Sequence, residues 1–372
     1  MKIIVLILSI ATIFANCNNQ IKTDANLKPN AQNINNKNAT TTLKNLTNTD
    51  TLNLTFVGDI MMGTNYPAPG FMPPNNGTNL FAQVTNFLNK AHITFGNCEG
   101  TLFDAGGTPK SCANPAVCYA FRMPAKLGDN LKTAGFDLIS VANNHLGDFG
   151  DEGRKQTMAN LDKLGMKFSG QETCPTTIIE ANNFKLGMVA VAPNNNCMKL
   201  NDYDKIKANI AALKKTCNLV MVSFHGGAEG RDKAHVPRKH EIFYGEDRGN
   251  VYEMAHMAID AGADMVIGHG PHVTRAFDFY KGKFIAYSLG NFCTWDRISL
   301  GGISGIAPIL NLSITGTGKL AKASIVPIRQ IGKGIPIVDE FKQVTKQLQD
   351  LTKQDFPEAG ITINDNGTLS FK

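Results

Sequence analysis

The chain has 372 residues, of which 42% are hydrophobic and 18% are charged, so it is long and apolar enough to form a globular core. Its formal net charge is only +6. Half of this excess lies in the first 50 residues, where five Lys face two Asp. A positive surplus this small and scattered argues against nucleic acid as a partner.

The N-terminus predicts export from the cytoplasm. Lys2 precedes an uncharged apolar run over residues 3–15, which has the length of a signal-peptide core and is too short to span a bilayer permanently. Cleavage after Ala15 would release a soluble protein. Alternatively, residues 14–17 resemble a lipoprotein box in which Cys17 is lipidated, although Asn16 is an unusual residue before the cleavage point. We favour the lipoprotein, because an isolated Cys here has little other use.

The remaining chain divides by composition. Residues 1–16 are the predicted signal peptide, and residues 17–50 form an Asn-, Lys- and Thr-rich segment that we predict to be a disordered tether, since it contains too little apolar surface to fold. Residues 51–335 are the predicted folded domain. Residues 336–372 are predicted to form a C-terminal helix and a polar tail, which either packs as a last hairpin or frays.

Within the domain, apolar runs of strand length alternate with amphipathic runs of helix length. The predicted strands are residues 52–57, 93–96, 137–141, 185–191, 219–224, 265–267, 284–289, 306–314 and 323–330. The predicted helices are residues 80–90, 124–134, 152–164, 206–215, 251–261 and 338–351. The alternation predicts an α/β fold with a largely parallel sheet, and the late strands predict a second sheet packed on the first, with helices outside.

Cysteine usage is typical of an oxidising compartment. Cys112 and Cys118 flank a Pro-containing loop, and Cys174 and Cys197 flank a predicted hairpin. Both pairs are plausible disulfides, but connectivity does not follow from sequence. No CxxC pair is present, which argues against a thiolate zinc site.

Polar or ionisable side chains follow five of the predicted strands. They are Asp59, Glu99, Asn144, His145, His225, His269 and His272. Ligands of open α/β sheets bind beyond the carboxyl ends of the strands. Carboxylate, amide and imidazole donors together suit manganese, iron or zinc. The pattern therefore predicts one shared metal site.

Each of these residues also has a structural interpretation when taken alone. An Asp after a strand is often a helix cap, an Asn often holds a turn, and a single His is more often a satisfied structural residue than a ligand. Their recurrence at five strand ends favours the shared site. His92, His235, His240 and His256 lie outside this pattern, and we predict surface or supporting roles for them.

Six motifs in order resemble the CapA family of poly-γ-glutamate capsule biosynthesis proteins, themselves similar to calcineurin-like metallophosphatases. The motifs are Gly58-Asp59-Ile60-Met61, Gly96-Asn97-Cys98-Glu99-Gly100, Ala142-Asn143-Asn144-His145 with Asp148, His225-Gly226-Gly227 with Glu229, Gly268-His269-Gly270-Pro271-His272, and Tyr287-Ser288-Leu289-Gly290-Asn291-Phe292. The resemblance covers about residues 52–330. It implies a four-layer αββα sandwich, a location in the cell envelope and a role in making, exporting or anchoring a γ-linked glutamate polymer.

Two positions depart from the patterns. The metallophosphatase pattern has a His two residues after the first Asp, where this chain has Met61, so one metal position is weaker or absent. The CapA pattern usually has a second His where this chain has Gly270. The resemblance therefore implies one or two divalent ions (Mn, Fe or Zn).

The resemblance also implies roles for individual residues. The predicted metal ligands are Asp59, Glu99, Asn144, His225, His269 and His272. His145 is the predicted general acid, with Asp148 and Glu229 orienting the histidines that bind the metal. Arg231 and Arg275 lie near motif ends and are predicted to bind substrate carboxylates by bidentate contacts, with an ordinary solvated charge as the alternative for each. Asn97 and Asn291 are also predicted to bind substrate.

The predicted function is metal-dependent hydrolysis of a γ-glutamyl polymer. The protein would be a lipoprotein facing the periplasm or outer surface, with poly-γ-glutamate or a related anionic polymer and membrane capsule-synthase subunits as partners. Two alternatives remain open: a non-catalytic scaffold that binds polymer or synthase, and a metallophosphoesterase.

Overall fold

The computed structural model describes residues 43–112 and 118–372. The predicted signal peptide, Cys17 and most of the predicted tether lie outside these residues. The strands are β1 (Thr51–Met61), β2 (Ile93–Cys98), β3 (Thr101–Leu102), β4 (Arg122–Met123), β5 (Leu138–Ser140), β6 (Lys167–Ser169), β7 (Thr176–Ala181), β8 (Phe184–Val191), β9 (Leu219–His225), β10 (Ile242–Phe243), β11 (Glu246–Asp247), β12 (Met265–His269), β13 (Phe277–Tyr280), β14 (Lys283–Ala286), β15 (Asn291–Thr294), β16 (Ile306–Thr315), β17 (Leu320–Ile331), β18 (Ile335–Val338), β19 (Ile361–Ile363) and β20 (Thr368–Phe371).

The helices are fewer and mostly short. They are α1 (Thr85–Leu88), α2 (Gly128–Ala134), α3 (Gly150–Lys163), α4 (Tyr203–Lys214), α5 (Val251–Asp260) and α6 (Gln343–Asp355). None of these helices, within the part of the chain that the structure describes, is long and apolar enough to cross a bilayer.

Two large sheets organise the fold. The first has the order β19-β20-β17-β16-β1-β2-β5-β6, with β15 also paired to β1 and β18 to β17. The second has the order β13-β14-β12-β9-β8-β7. In the first sheet β1, β2, β5 and β6 are parallel neighbours, and in the second β8, β9, β12 and β14 are. Parallel strands place their carboxyl ends at one edge of each sheet.

The buried side chains define four layers. One cluster lies between the sheets and joins Leu54, Phe56 and Phe95 of the first sheet to Met221 and Met265 of the second. A second cluster packs α2 and α3 on the outer face of the first sheet. A third packs α4 and α5 on the outer face of the second. The predicted αββα sandwich is thereby confirmed, but the late strands β16 and β17 extend the first sheet by pairing with β1 rather than forming the second.

The structure corrects two predicted helices. The helix expected over residues 80–90 is reduced to the single turn of α1. The helix expected from residue 338 begins at Gln343, because residues 335–338 pair with β17 as strand β18. The polar tail packs as a hairpin, since β20 pairs with both β17 and β19.

The disulfide predictions have different outcomes. Cys112 and Cys118 are disulfide-bonded, as predicted. The predicted bond between Cys174 and Cys197 is wrong, because Cys197 carries a free, buried thiol. That sulfur instead lies 3.5 Å from the side-chain amide of Gln171.

Candidate metal centre

The carboxyl ends of strands from both sheets converge on one buried cluster. In the first sheet Asp59 of β1 lies in register with Asn97 of β2. In the second sheet His225 of β9 lies in register with His269 of β12. The predicted donors therefore reach the same place from two sheets that face each other.

Gly58 sets the position of Asp59. A Cβ atom at residue 58 would lie 1.9 Å from the carbonyl oxygen of Gly290, so only glycine lets β1 run this close to the loop that contains Gly290. The backbone N–H of Asp59 donates to the same carbonyl oxygen at 2.9 Å. The carboxylate is thereby fixed at the sheet edge.

Asn97 joins the two carboxylates of the cluster. Its Nδ2 donates to Asp59 Oδ1 at 2.8 Å and to Glu99 Oε2 at 2.6 Å, and its Oδ1 accepts from Asn143 Nδ2 at 3.0 Å. Burial and the neighbouring Asp59 raise the pKa of Glu99 to about 8. Burial also acts to raise the pKa of Asp59, but the imidazoles of His269 and His272 outweigh it and hold that pKa well below its ordinary value.

His225 and His269 present ring nitrogens without hydrogen-bond partners. Both nitrogens of each ring are buried and form no hydrogen bond within the described residues. His225 Nδ1 lies 3.6 Å from Glu99 Oε2, and His269 Nδ1 lies 3.3 Å from Asp59 Oδ1. Burial lowers the pKa of His225 well below its ordinary value, which favours the neutral ring that a metal requires.

His272 is held by the backbone and by Asn291. Its φ of 57° lies in the left-handed region, which is uncommon for residues other than glycine and recurs at functional sites. Its Nδ1 lies 3.0 Å from Asn291 Oδ1 and 3.2 Å from Asp59 Oδ2. The opposite nitrogen, Nε2, lies 3.9 Å from both Glu99 Oε1 and Glu229 Oε2, beyond hydrogen-bonding distance.

The unpartnered atoms fit a divalent ion. Asp59, Glu99 and His225 each offer one donor atom, and these atoms lie within 4.8 Å of one another. Asp59 Oδ2, Glu99 Oε1 and Asn144 Oδ1 are buried and accept no hydrogen bond from the described residues. Each buried unsatisfied group costs about 1–3 kcal/mol, so such a concentration of them calls for a bound cation.

Met61 occupies the position where the metallophosphatase pattern has a His. It is fully buried, and its sulfur accepts the backbone N–H of Gly63 at 3.3 Å. A thioether is a weak acceptor and a poor ligand for hard divalent ions. The cluster therefore has one metal-binding side chain fewer at the position of Met61.

His145 and Asp148 form a pair beside the cluster. His145 Nδ1 lies 2.8 Å from Asp148 Oδ2, which also accepts the backbone N–H of Phe121 at 2.7 Å. Lys110 Nζ lies 2.6 Å from Asp148 Oδ1 and 3.4 Å from His145 Nδ1. Burial lowers the pKa of His145, with Asp148 acting in the opposite direction. The pair therefore directs Nδ1–H to Asp148 and leaves Nε2 free of any hydrogen bond to the described residues.

Glu229 is held by an arginine rather than by a histidine. Arg248 Nη1 donates to Glu229 Oε1 at 2.9 Å. The predicted orientation of a histidine by Glu229 is not seen as a hydrogen bond, since His272 Nε2 is 3.9 Å away. Glu229 is 19% exposed and adds negative charge at the rim of the cluster.

Three of the four predicted substrate-binding side chains are buried and paired with other protein groups. Arg275 is fully buried, and its guanidinium forms a bidentate pair with Glu241 at 2.7 and 2.8 Å. Asn97 and Asn291 are also fully buried, with their amides committed to neighbouring residues. Arg231 remains exposed, over the loop at Gly301, without an ion pair to any described residue.

Sequence reasoning missed two neighbours of the site. Lys110 contacts both His145 and Asp148, although it lies in a loop without a recognisable pattern. The loop after β8 brings Asn194 to the same region as Asn144. Three consecutive Asn after Pro193, at the end of an apolar strand, are the signal that could have indicated it.

The two stacked sheets and the donor-lined edge define an α/β protein of the αββα-sandwich class with a candidate metal centre. Residues 53–295 match the family model described as bacterial capsule synthesis protein PGA_cap. The chain belongs to this family.

Two curated relatives show the extent of the similarity. The chain is 28% identical over 264 residues to the capsule biosynthesis protein CapA of Bacillus anthracis, covering 65% of this chain and 59% of the relative. It is 27% identical over 259 residues to the PGA biosynthesis protein CapA of Bacillus subtilis, covering 65% and 63%. The chain thus matches about three fifths of the length of these relatives.

A purple acid phosphatase from yellow lupin seeds is among the similar solved structures. Its TM-score is 0.39 at 9% identity, with 78% of this chain and 55% of that chain covered.

Proposed function

We propose that this protein is a metal-dependent hydrolase of the cell envelope that cleaves γ-glutamyl bonds of an anionic glutamate polymer. The observation that supports it best is the set of buried, unpartnered donors from Asp59, Glu99, His225 and His269 beside the His145–Asp148 pair. A structural cluster would gain nothing from leaving so many polar atoms unsatisfied.

The proposed ligands are those that converge at the strand ends. They are Asp59, Glu99, Asn144, His225, His269 and His272, holding one or two ions of Mn, Fe or Zn. When bound, such an ion supplies Lewis acidity and a water nucleophile that ionises near neutral pH. Asn97 keeps the two carboxylates in place, and Asn291 fixes the ring of His272.

His145 is the proposed general acid. Because its Nδ1 is committed to Asp148, its Nε2 is the atom that would carry a proton to the departing amine. Asp148 would stabilise the protonated ring, and its own position is fixed by Lys110 and by the N–H of Phe121. Phe121 also packs on the imidazole, with ring centroids 4.3 Å apart.

The proposed setting follows from the N-terminus and from the relatives. The signal-peptide pattern and Cys17 support a membrane-anchored lipoprotein facing the periplasm or outer surface. The names of the two Bacillus relatives refer to capsule and PGA biosynthesis. We therefore propose poly-γ-glutamate as the polymer and membrane synthase subunits as partners.

Met61 favours a second candidate function, that of a non-catalytic scaffold. The pattern's histidine is replaced there by a side chain that provides no hard donor. A scaffold would bind polymer or synthase without turnover. It would not require His145 to keep an oriented proton-carrying nitrogen beside the cluster.

Substitution of His145 distinguishes these possibilities. In the metal-loaded full chain, His145→Gln should lower release of new amino groups from γ-glutamyl oligomers by about 100- to 10,000-fold, with metal content and melting temperature unchanged. His235→Gln, an exposed histidine paired with Asp355, is the matched control and should retain full activity.

Other outcomes would redirect the proposal. A metal-loaded wild type that releases no amine from the oligomers but cleaves p-nitrophenyl phosphate would favour the phosphoesterase. A wild type that cleaves neither substrate, while His145→Gln still supports capsule production, would favour the scaffold.

A further inference from the structure

A cavity opens directly beside the candidate metal centre. Its volume is about 450 Å³, and Asn144 and Lys110 line the side nearest His145. The opposite wall comes from the loop after β8, which includes Asn194 and Asn195. A group bound here would lie next to whatever His145 protonates.

The cationic side chains of Lys110 and Arg154 line this cavity, and Arg154 has N–H donors that form no hydrogen bond to the described residues. Lys110 is held against Asp148. Arg154 of α3 is 15% exposed, and its hydrogen bond among the described residues is to Asp151 Oδ1, through Nη2 at 2.5 Å. Asp151 itself is 78% exposed, so this pair is screened by water and weak. Arg154 Nη1 lies over Gly147, 2.9 Å from where a Cβ atom would be, and it has no acceptor among the described residues.

The carboxylates that also line the cavity lie against other partners. Glu246 lies 3.1 Å from Arg248 Nε. Asp247 lies 3.0 Å from His240 Nδ1 and accepts the backbone N–H of Gly249 at 2.8 Å. Neither of these carboxylates contacts Arg154, whose Nη1 stays without an acceptor among the described residues.

The loop after β8 adds an acceptor without a donor. Asn194 Oδ1 is buried and accepts no hydrogen bond within the described residues. Lys199 braces this loop by donating to Pro193 O at 3.0 Å and to Asn195 Oδ1 at 3.1 Å. The residues on either side of Asn194 are thereby anchored.

We propose that this cavity is the substrate subsite that selects a carboxylate-bearing polyamide, with Arg154 binding a carboxylate and Asn194 accepting an amide N–H. Such a polymer supplies a partner for each of these two groups, a carboxylate for Arg154 and an amide N–H for Asn194. A phosphate-ester dianion supplies oxygen acceptors but no donor for Asn194. The inference rests on the proposed polymer substrate and deepens it by naming the residues that determine specificity.

Equilibrium binding to the metal-free full chain tests this subsite without any turnover. The probe is γ-linked tetraglutamate, titrated by calorimetry into wild type, Arg154→Gln and Lys155→Gln. Loss of a charge-assisted hydrogen-bonding group should raise the Kd about 10- to 100-fold in Arg154→Gln. Lys155 is the exposed neighbour on the same helix, so its variant should change the Kd less than about twofold.

Two further probes separate the possible ligand chemistries. The same tetramer with its α-carboxylates converted to carboxamides should bind the wild-type protein as weakly as the acidic tetramer binds the Arg154→Gln variant. Inorganic phosphate should compete only at much higher concentration than the tetramer. Equal competition by phosphate, equal binding of the amidated tetramer, or equal effects of Arg154→Gln and Lys155→Gln would overturn the subsite.

The result is independent of the proposed catalysis. Arg154-dependent binding of the acidic tetramer by a protein that never hydrolyses it would support the subsite and contradict the hydrolase. Hydrolysis of the polymer at an unchanged KM in Arg154→Gln would contradict the subsite and leave the hydrolase in place. Melting curves of both variants confirm that a changed Kd does not reflect unfolding.

Discussion

At the residue scale, the site consists of polar side chains whose hydrogen bonding is incomplete on the side that faces the centre of the cluster. Asn97 and Asn291 satisfy one side of the carboxylates and of His272. The remaining atoms of Asp59, Glu99, His225 and His269 face one another without hydrogen-bond partners in the part of the chain that the structure describes. Since buried polar atoms in proteins are normally satisfied, these residues are organised around a cation.

Asn97 should stabilise the folded protein when no metal is bound to the cluster. Asn97→Ala removes the donor that stabilises two buried carboxylates, so we expect the free energy of unfolding to fall by about 2–3 kcal/mol. Denaturant unfolding of the dialysed full chain measures it. Addition of Mn²⁺ should recover part of the loss, because a cation takes over the stabilisation of the carboxylates.

The control for Asn97 is an asparagine without such contacts. Asn89→Ala changes an exposed side chain and should stay within about 0.5 kcal/mol of wild type. An Asn97→Ala protein as stable as Asn89→Ala would contradict the role assigned to the Asn97 amide.

Most individual donors were predictable from sequence, while their supporting contacts were not. Asp59, Glu99, His225 and His269 follow apolar strands, and the edge rule for parallel sheets places them together. Arg275 was predicted to bind substrate, yet it pairs with Glu241, which is 34 residues away in sequence and belongs to no motif. A pairing of this kind depends on loop paths, which a single sequence does not define.

At the element scale, strands were predicted more accurately than the ends of helices. The continuous apolar runs of β9 and β12 are typical of strands buried on both faces. The start of α6 was placed five residues early, because the apolar periodicity continues through β18. The helix begins instead after Asp339, a buried residue that accepts the backbone N–H of Gln343 at 2.8 Å.

Asp339 should therefore contribute measurably to stability. Asp339→Ala removes the acceptor at the N-terminus of α6 and a negative charge near its positive end, so we expect a loss of about 1–2 kcal/mol in the free energy of unfolding. The adjacent Glu340 is exposed, and Glu340→Ala should have little effect. Equal destabilisation by both variants in denaturant unfolding would contradict this account of the helix start.

At the scale of the whole molecule, the site exists because the two sheets are stacked with their strand ends aligned. Asp59 and Glu99 come from the first sheet, and His225 and His269 come from the second. The sequence predicted two sheets, but the distances across them depend on the core that joins Phe56 and Phe95 to Met221 and Met265. A bound ion would connect the sheets and stabilise both together.

The most direct test of the central claim is the metal content of the purified full chain after exhaustive dialysis, measured by elemental analysis. We expect one or two equivalents of Mn, Fe or Zn in wild type and in the His235→Ala control, and loss of at least one equivalent in His225→Ala. A wild type that retains no metal and shows no thermal shift on adding any of the three ions would contradict the assignment of the strand-end cluster as a metal centre.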